Sequence, residues 1–244
     1  MIDSHCHLDA FSKIELEKII EESKENRMEA IITSGFSLES SKKAVEISRI
    51  YENFVFPTVG VGPQIAMKMK NKEWEKISDK LLGSSVAIGE IGLDYKWAKT
   101  IKGKNLQKDC FLFFLNLAKE IDLPVVIHSR DSYPDIFKIL EEASPKKVLL
   151  HCFSGNFEDA KIASSRKYWI SFPPIQSRAR EKIAERSKEL NCYLVVETDS
   201  PYIGKRPIDC FKAIKLIADA RKEKIENIEK ETTENAKRFF GILQ

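Results

Sequence analysis

Eight short apolar runs recur along this chain, with segments of helical periodicity between them. The runs are Met1–Ser4, Ala30–Thr33, Phe54–Val59, Val86–Ile88, Pro124–Ile127, Lys147–Leu150, Tyr168–Ser171 and Leu194–Val196. Few folds accommodate that alternation. Runs that are apolar at nearly every position predict strands buried on both faces, as in a parallel sheet covered by helices. The intervening segments supply the cover. Phe111, Phe114, Leu115 and Ala118 recur at helical spacing beside the charged Lys108, Asp109, Lys119 and Glu120. Eight strand–helix units in 244 residues predict an α/β fold, a single (β/α)8 TIM barrel spanning residues 1–244. An open doubly wound sheet is the alternative, but no Gly-x-Gly-x-x-Gly follows the first run to support its nucleotide-binding form. The tail from Ile225 to Phe240 reads as an extra C-terminal amphipathic helix that packs Phe239 and Phe240 against the barrel.

The four histidines of the chain all fall at the ends of these runs. His5 and His7 close the first, His128 follows the fifth and His151 the sixth, while Glu90 follows the fourth and Asp199 the eighth. Alternation along a strand puts His5 and His7 on one side and Cys6 on the other. In a barrel, the carboxyl ends of all strands meet at one mouth, so these six side chains are expected to converge. Each alone has a plainer reading: a lone histidine after an apolar run is commonly a hydrogen-bonded core residue, and Glu90 or Asp199 can cap a helix. Four imidazoles and two carboxylates exceed what one tetrahedral zinc takes. They suit two divalent cations about 3.5–4 Å apart that share a carboxylate and a water. Imidazole favours Zn, Mn, Co or Ni, and the carboxylates admit Mg. Cys6 and Cys152, each next to a histidine, are expected to face away.

With 40 basic and 37 acidic residues, the net charge of +3 neither demands nor excludes a polyanionic partner. Five scattered cysteines without a Cys-x-x-Cys predict a reduced chain without a disulfide framework. The first predicted strand begins at residue 2, leaving no room for a leader, and the greasiest helical stretch, Cys110–Ala118, is too short to span a membrane. A cytoplasmic location follows as the expectation, with no membrane partner. Oligomeric state is not encoded in any of these features.

The motifs Asp3-Ser4-His5-Cys6-His7-Leu8-Asp9, Gly89-Glu90-Ile91-Gly92-Leu93-Asp94-Tyr95, Ile127-His128-Ser129-Arg130-Asp131, His151-Cys152-Phe153-Ser154-Gly155 and Glu197-Thr198-Asp199-Ser200-Pro201-Tyr202 together resemble the TatD family of metal-dependent deoxyribonucleases, within the amidohydrolase-type metal barrels. The resemblance implies that His5, His7, Glu90 and Asp199 hold one metal and that Glu90, His128 and His151 hold the other. It also implies hydrolysis of phosphodiester bonds in DNA, single-stranded or from 3′ ends, with action on RNA or damaged DNA as a further expectation. One departure stands out. Where the family commonly has Val-Gly-x-His-Pro-His after the third strand, this chain reads Val61-Gly62-Pro63-Gln64, so Gly62 and Gln64 replace two substrate-facing histidines. The stretch Phe172–Arg178 also differs from the glycine-containing form often seen there.

On this reading Asp199 is the general base and Glu90 the shared carboxylate. Arg130 is the first choice for clamping phosphate, followed by Lys205 and Arg206. Lys96, Lys99, Lys102 and Lys104, read as one loop, and Arg178 and Arg180 are expected to track a phosphate backbone. Tyr95, Trp97 and Tyr202 are expected to stack bases, and Gln64 to line the substrate site. Two rivals keep the fold: a hydrolase of a small ester or amide, and a nucleic-acid-binding barrel with a degenerate site.

Overall fold

In the computed structural model, which describes residues 1–243, the apolar runs become eight parallel strands in sequential order. They are β1 (Ile2–Cys6), β2 (Ala30–Ser34), β3 (Val55–Val59), β4 (Ala87–Asp94), β5 (Val125–Arg130), β6 (Val148–Leu150), β7 (Trp169–Phe172) and β8 (Tyr193–Val196). The helices are α1 (Lys13–Glu25), α2 (Leu38–Ile50), α3 (Pro63–Ala66), α4 (Asp79–Leu82), α5 (Ile101–Glu120), α6 (Tyr133–Ala143), α7 (Phe157–Ser165), α8 (Arg178–Arg186), α9 (Cys210–Arg221) and α10 (Ile225–Phe240). The last strand returns to the first. The Asp199 N–H donates to the His5 carbonyl at 2.9 Å, and the His7 N–H to the Ser200 carbonyl at 2.8 Å. The Thr198 N–H and hydroxyl both donate to the buried Asp3 carboxylate, at 2.9 and 2.5 Å. This is a (β/α)8 barrel with an added C-terminal helix.

Period-two alternation sorts the strand residues into two apolar layers. Cys6, Ile31, Val55, Ile88, Ile91, Val125, Ile127 and Leu150 face outward onto the helices. Ile2, Ala30, Ile32, Ala87, Val126, Leu149, Trp169 and Val195 face the barrel interior, where Phe239, Phe240 and Ile242 of the C-terminal segment join them. The expectation for the tail holds. Fully burying two phenylalanines contributes about 1.5–3 kcal/mol each, whereas the Lys237–Glu29 ion pair beside them belongs to a class worth about 0–1. Packing therefore fixes α10, and the Lys147 ammonium caps its end by donating to the Arg238 carbonyl at 2.5 Å.

Two bulges interrupt the alternation, and both serve the mouth. Between the pairs Asp3↔Ile31 and Cys6↔Thr33, Ser4 and His5 together oppose the single residue Ile32. Between Ile88↔Val125 and Ile91↔Ile127, Gly89 and Glu90 together oppose Val126. Each extra residue shifts the parity. Without the first, His5 and His7 would share the outward side of Asp3. Without the second, Glu90 would share the outward side of Ile88. Position 89 requires glycine, because a Cβ there would sit 2.6 Å from Val126 Cβ.

Two boundaries differ most from the sequence expectation. β4 continues past Glu90 to Asp94, because Ile91 and Leu93 resume pairing with β5 once the bulge has passed. β5 likewise runs on to Arg130, so Glu90 and His128 sit within strands. The lysine-rich stretch is not one loop. Thr100 caps α5 by accepting the Gly103 N–H, which places Lys102 and Lys104 on the helix. Among the described residues no helix is long and apolar enough to cross a membrane.

Candidate metal centre

The interior positions change character toward the carboxyl ends of the strands. Val126 is followed two residues later by His128, Leu149 by His151 and Val195 by Glu197, so one polar tier lies above an apolar one. His5, His7 and Glu90 enter the same tier through the two bulges, and Asp199 through the turn after β8. All six expected side chains come together. His5 Nε2 and His7 Nε2 are 3.3 Å apart, and His128 Nδ1 and His151 Nε2 are 3.2 Å apart.

Glu90 lies between the pairs and divides its oxygens among them. Oε2 is 3.5 Å from His5 Nε2 and 3.7 Å from His7 Nε2. Oε1 is 2.8 Å from His128 Nδ1 and 3.5 Å from His151 Nε2. Asp199 Oδ1 stands 3.3 Å from His7 Nε2 and 3.9 Å from His5 Nε2, on the first pair only. Three sets of ligand-type atoms lie within 4.8 Å of one another, His5/His7/Glu90, Glu90/His128/His151 and His5/His151/Glu197, and the first two share Glu90.

Three of the four far ring nitrogens are hydrogen-bonded. His7 Nδ1 donates to the Ser34 carbonyl at 2.9 Å, and His5 Nδ1 lies 3.1 Å from the Ser34 hydroxyl. His128 Nε2 donates to Asp94 Oδ2 at 3.2 Å. His151 Nδ1 faces Glu197 Oε1 at 3.7 Å, and neither of these buried atoms has a hydrogen-bond partner. An outward nitrogen that donates leaves the inward one with its lone pair, the arrangement in which an imidazole accepts a cation. The donor set of imidazole nitrogens and carboxylate oxygens, with a carboxylate reaching both sets, fits two divalent ions.

With only each other as partners, the groups of the tier shift one another's protonation. Burial favours the neutral form of the Glu90 carboxyl, but the His151 charge and bonds from His128, His151 and His5 outweigh it and hold the group well below the usual range. Burial and the neighbouring His151 lower His5. His151 is pushed well up: burial opposes its charge, and Glu90 and Glu197 overcome that. His128 is raised against burial by Asp94 and Glu90, and His7 by Asp199 and Glu90. Asp199 is lowered despite burial, chiefly by its bond with His7.

A cavity of about 600 Å³ opens over this tier. Its wall includes Phe36, Gly62, Gln64, Ser129, Arg130, Cys152, Ile175, Arg180 and Tyr202. Tyr202 is exposed and meets His7 edge-on, with ring centroids 5.2 Å apart. Arg180 is anchored through Nε to the Phe153 carbonyl at 3.1 Å. A larger hollow of about 810 Å³ lies against the sides of α7 to α10, where Arg221 is already paired with Glu231 at 2.6 Å.

Several expected residues lie elsewhere. Arg206 points to α1, donating to Glu22 at 2.8 Å, because the turn before α9 is pinned by Asp209. Lys205 is exposed and outside the cavity wall, its N–H held by the same Asp209 at 2.8 Å. The Tyr95 hydroxyl donates to Asp135 and its ring lies under Lys104, so it is occupied away from the cavity. Cys6 turns outward toward the Ile32 carbonyl as expected. Cys152 does not turn away: β6 stops at Leu150, so strand alternation no longer governs it, and it lines the cavity in a left-handed turn with φ 45°. Asp94 and Glu197, to which the sequence reading assigns no role, stand behind His128 and His151, and Glu197 follows Val195 at the spacing that relates His128 to Val126.

The sequence matches the family model described as TatD related DNase over residues 2–241. The chain belongs to the TatD-related DNase family. A metal-dependent hydrolase of Bacillus subtilis, YabD, is 35% identical over 99% of each chain. A human protein named deoxyribonuclease TATDN3 is 29% identical, covering 100% of this chain and 96% of its own. Among solved structures, the TatD homologue YJJV of Escherichia coli superposes with a TM-score of 0.88 at 22% identity, over 99% of this chain and 98% of that one. A TatD family hydrolase of Entamoeba histolytica gives 0.87 at 20%, covering 98% and 97%. As a TatD-family protein the chain is a metal-dependent hydrolase of ester bonds.

Proposed function

We propose that this protein is a two-metal phosphodiesterase of DNA that works as one domain in the cytoplasm and shortens single strands from their 3′ ends. The observation that carries the reading is Glu90, whose two oxygens face different histidine pairs. On this reading His5, His7, Glu90 and Asp199 hold one cation, and Glu90, His128 and His151 hold the other. Bound there, divalent ions supply Lewis acidity toward a phosphate and lower the pKa of a coordinated water. The chain's own groups do the rest. Asp199, engaged with one pair only, keeps its reach for the proton of the attacking water and takes it at a carboxylate oxygen. Arg130 and Arg180, both on the cavity wall, bind the non-reacting phosphate oxygens. Exposed Tyr202 offers a face on which a terminal base can stack.

DNA as substrate is supported by the name of the human relative and by the guanidiniums over the polar tier. The cytoplasmic placement is supported by five cysteines that are all free thiols. The test uses single-stranded and duplex DNA labelled at either end, incubated with Mn, Mg, Zn, Co or Ni and then with chelator. A ladder shortening from the 3′ end, abolished by chelator and weakened steeply by salt, is expected. Hydrolysis of small esters without any attack on DNA would overturn the DNA reading and leave the two-metal reading standing.

A further inference from the structure

Every polar atom of Asp94 is used, although the residue touches neither the Glu90 carboxylate nor solvent. Oδ2 accepts from His128 Nε2 at 3.2 Å and from Gln64 Nε2 at 3.0 Å. Oδ1 accepts the backbone N–H groups of Lys96 and Trp97, at 3.1 and 3.3 Å. The Asp94 N–H donates to Gln107 Oε1 at 2.9 Å, and its carbonyl accepts the Gln107 side-chain N–H at 3.2 Å. The side chain is fully buried. One carboxylate oxygen thus serves a ligand-type imidazole and a residue of the cavity wall at once.

A carboxylate only accepts. It therefore decides the orientation of both partners. His128 must turn Nε2–H toward it, which directs the Nδ1 lone pair inward. Gln64 must turn its NH2 toward it, which leaves its carbonyl oxygen as the atom available to the cavity. We propose that Asp94 is a positioning residue that couples the second ion site to the substrate wall: it fixes the tautomer of His128 and makes Gln64 a hydrogen-bond acceptor toward substrate. A substrate group that donates an N–H or O–H, such as an exocyclic amine of a base, is selected at that point. The selection half rests on the DNA reading above. The half concerning the second ion site does not.

Asp94→Asn is the informative variant, because an amide oxygen can still hold Lys96 and Trp97 while its NH2 now opposes the donors of His128 and Gln64. Mn2+ titration calorimetry on the purified full chain reads the sites without any substrate. One of two binding steps is expected to weaken by about 10–100-fold, the usual effect of losing a group behind a ligand, while the other stays within twofold. In the same variant, KM for a single-stranded oligonucleotide is expected to rise. Gln64→Met, close in shape but unable to accept strongly, is expected to raise KM while leaving both Mn2+ steps unchanged. Asp94→Asn with a lowered melting temperature but two unaltered Mn2+ affinities would overturn the proposal and reduce Asp94 to a loop anchor. If the chain proves inactive on DNA, the calorimetric arm still decides the first half.

Discussion

The two histidine pairs flanking Glu90 rest on different supports. His5 and His7 lean on one residue, Ser34, through its hydroxyl and its carbonyl. His128 and His151 lean on separate carboxylates, Asp94 and Glu197. A neutral hydroxyl or carbonyl orients a ring without adding charge, whereas a carboxylate also makes the imidazole more basic. Burial and the neighbouring His151 hold His5 below the ordinary histidine range. Against burial, Glu90 and Glu197 carry His151 well above it and Asp199 and Glu90 raise His7, so the facing carboxylates count as much as the supports. The pair with the softer support is the one that Asp199 joins, so each side of Glu90 is completed by one anionic residue or more. The lesson is that the two sites balance their charge by different routes, one with a carboxylate facing the ligand atoms and the other with carboxylates behind the rings.

Removing the group common to both sides should have the largest effect. Glu90→Gln is expected to cut turnover on the order of 10⁴-fold, the scale of losing a member of a catalytic unit, and to lower bound metal from two per chain toward one. Metal analysis after dialysis checks it, and two retained ions would show that Glu90 is not shared. Asp199→Asn comes next, with turnover falling by about 10²–10⁴-fold while the circular dichroism spectrum is kept. Parental rates in that variant would assign the base elsewhere.

Two milder substitutions separate the supports. Glu197→Gln is expected to weaken only one Mn2+ step, by about 10–100-fold, since a carboxylate behind an imidazole is lost. Ser34→Ala removes the hydroxyl behind His5 but keeps the carbonyl behind His7, and it should weaken the other step by about fivefold, the worth of one neutral hydrogen bond near 1 kcal/mol. Equal losses in both variants, or both falling on the same step, would erase the contrast between the pairs.

The barrel was legible because strands buried on both faces keep almost every residue apolar, so Ala30–Thr33 or Lys147–Leu150 could not be mistaken for loops. The ligand-type residues were legible because each follows such a run. The two bulges were not. A pattern of side chains records which residues are apolar but not where two of them oppose one, and Gly89 and Gly92 hid the continuation of β4 to Asp94. Contacts made by charged side chains on loops were equally invisible. Nothing in the order of residues says that Arg206 turns to Glu22 or that Tyr95 turns to Asp135. Asp94 and Glu197 lie inside the motifs, but nothing in those motifs names their partners, which lie 34 and 46 positions away.

The aromatic end of α10 has an effect beyond holding the helix in place. With Phe239 and Phe240 wedged among Ile2, Val126 and Val195, the barrel is a cup and not a tube. Anything that reaches the histidines must arrive and depart by the same doorway. A long polymer cannot thread through, so on the proposed reading a DNA strand has to be presented at that one mouth.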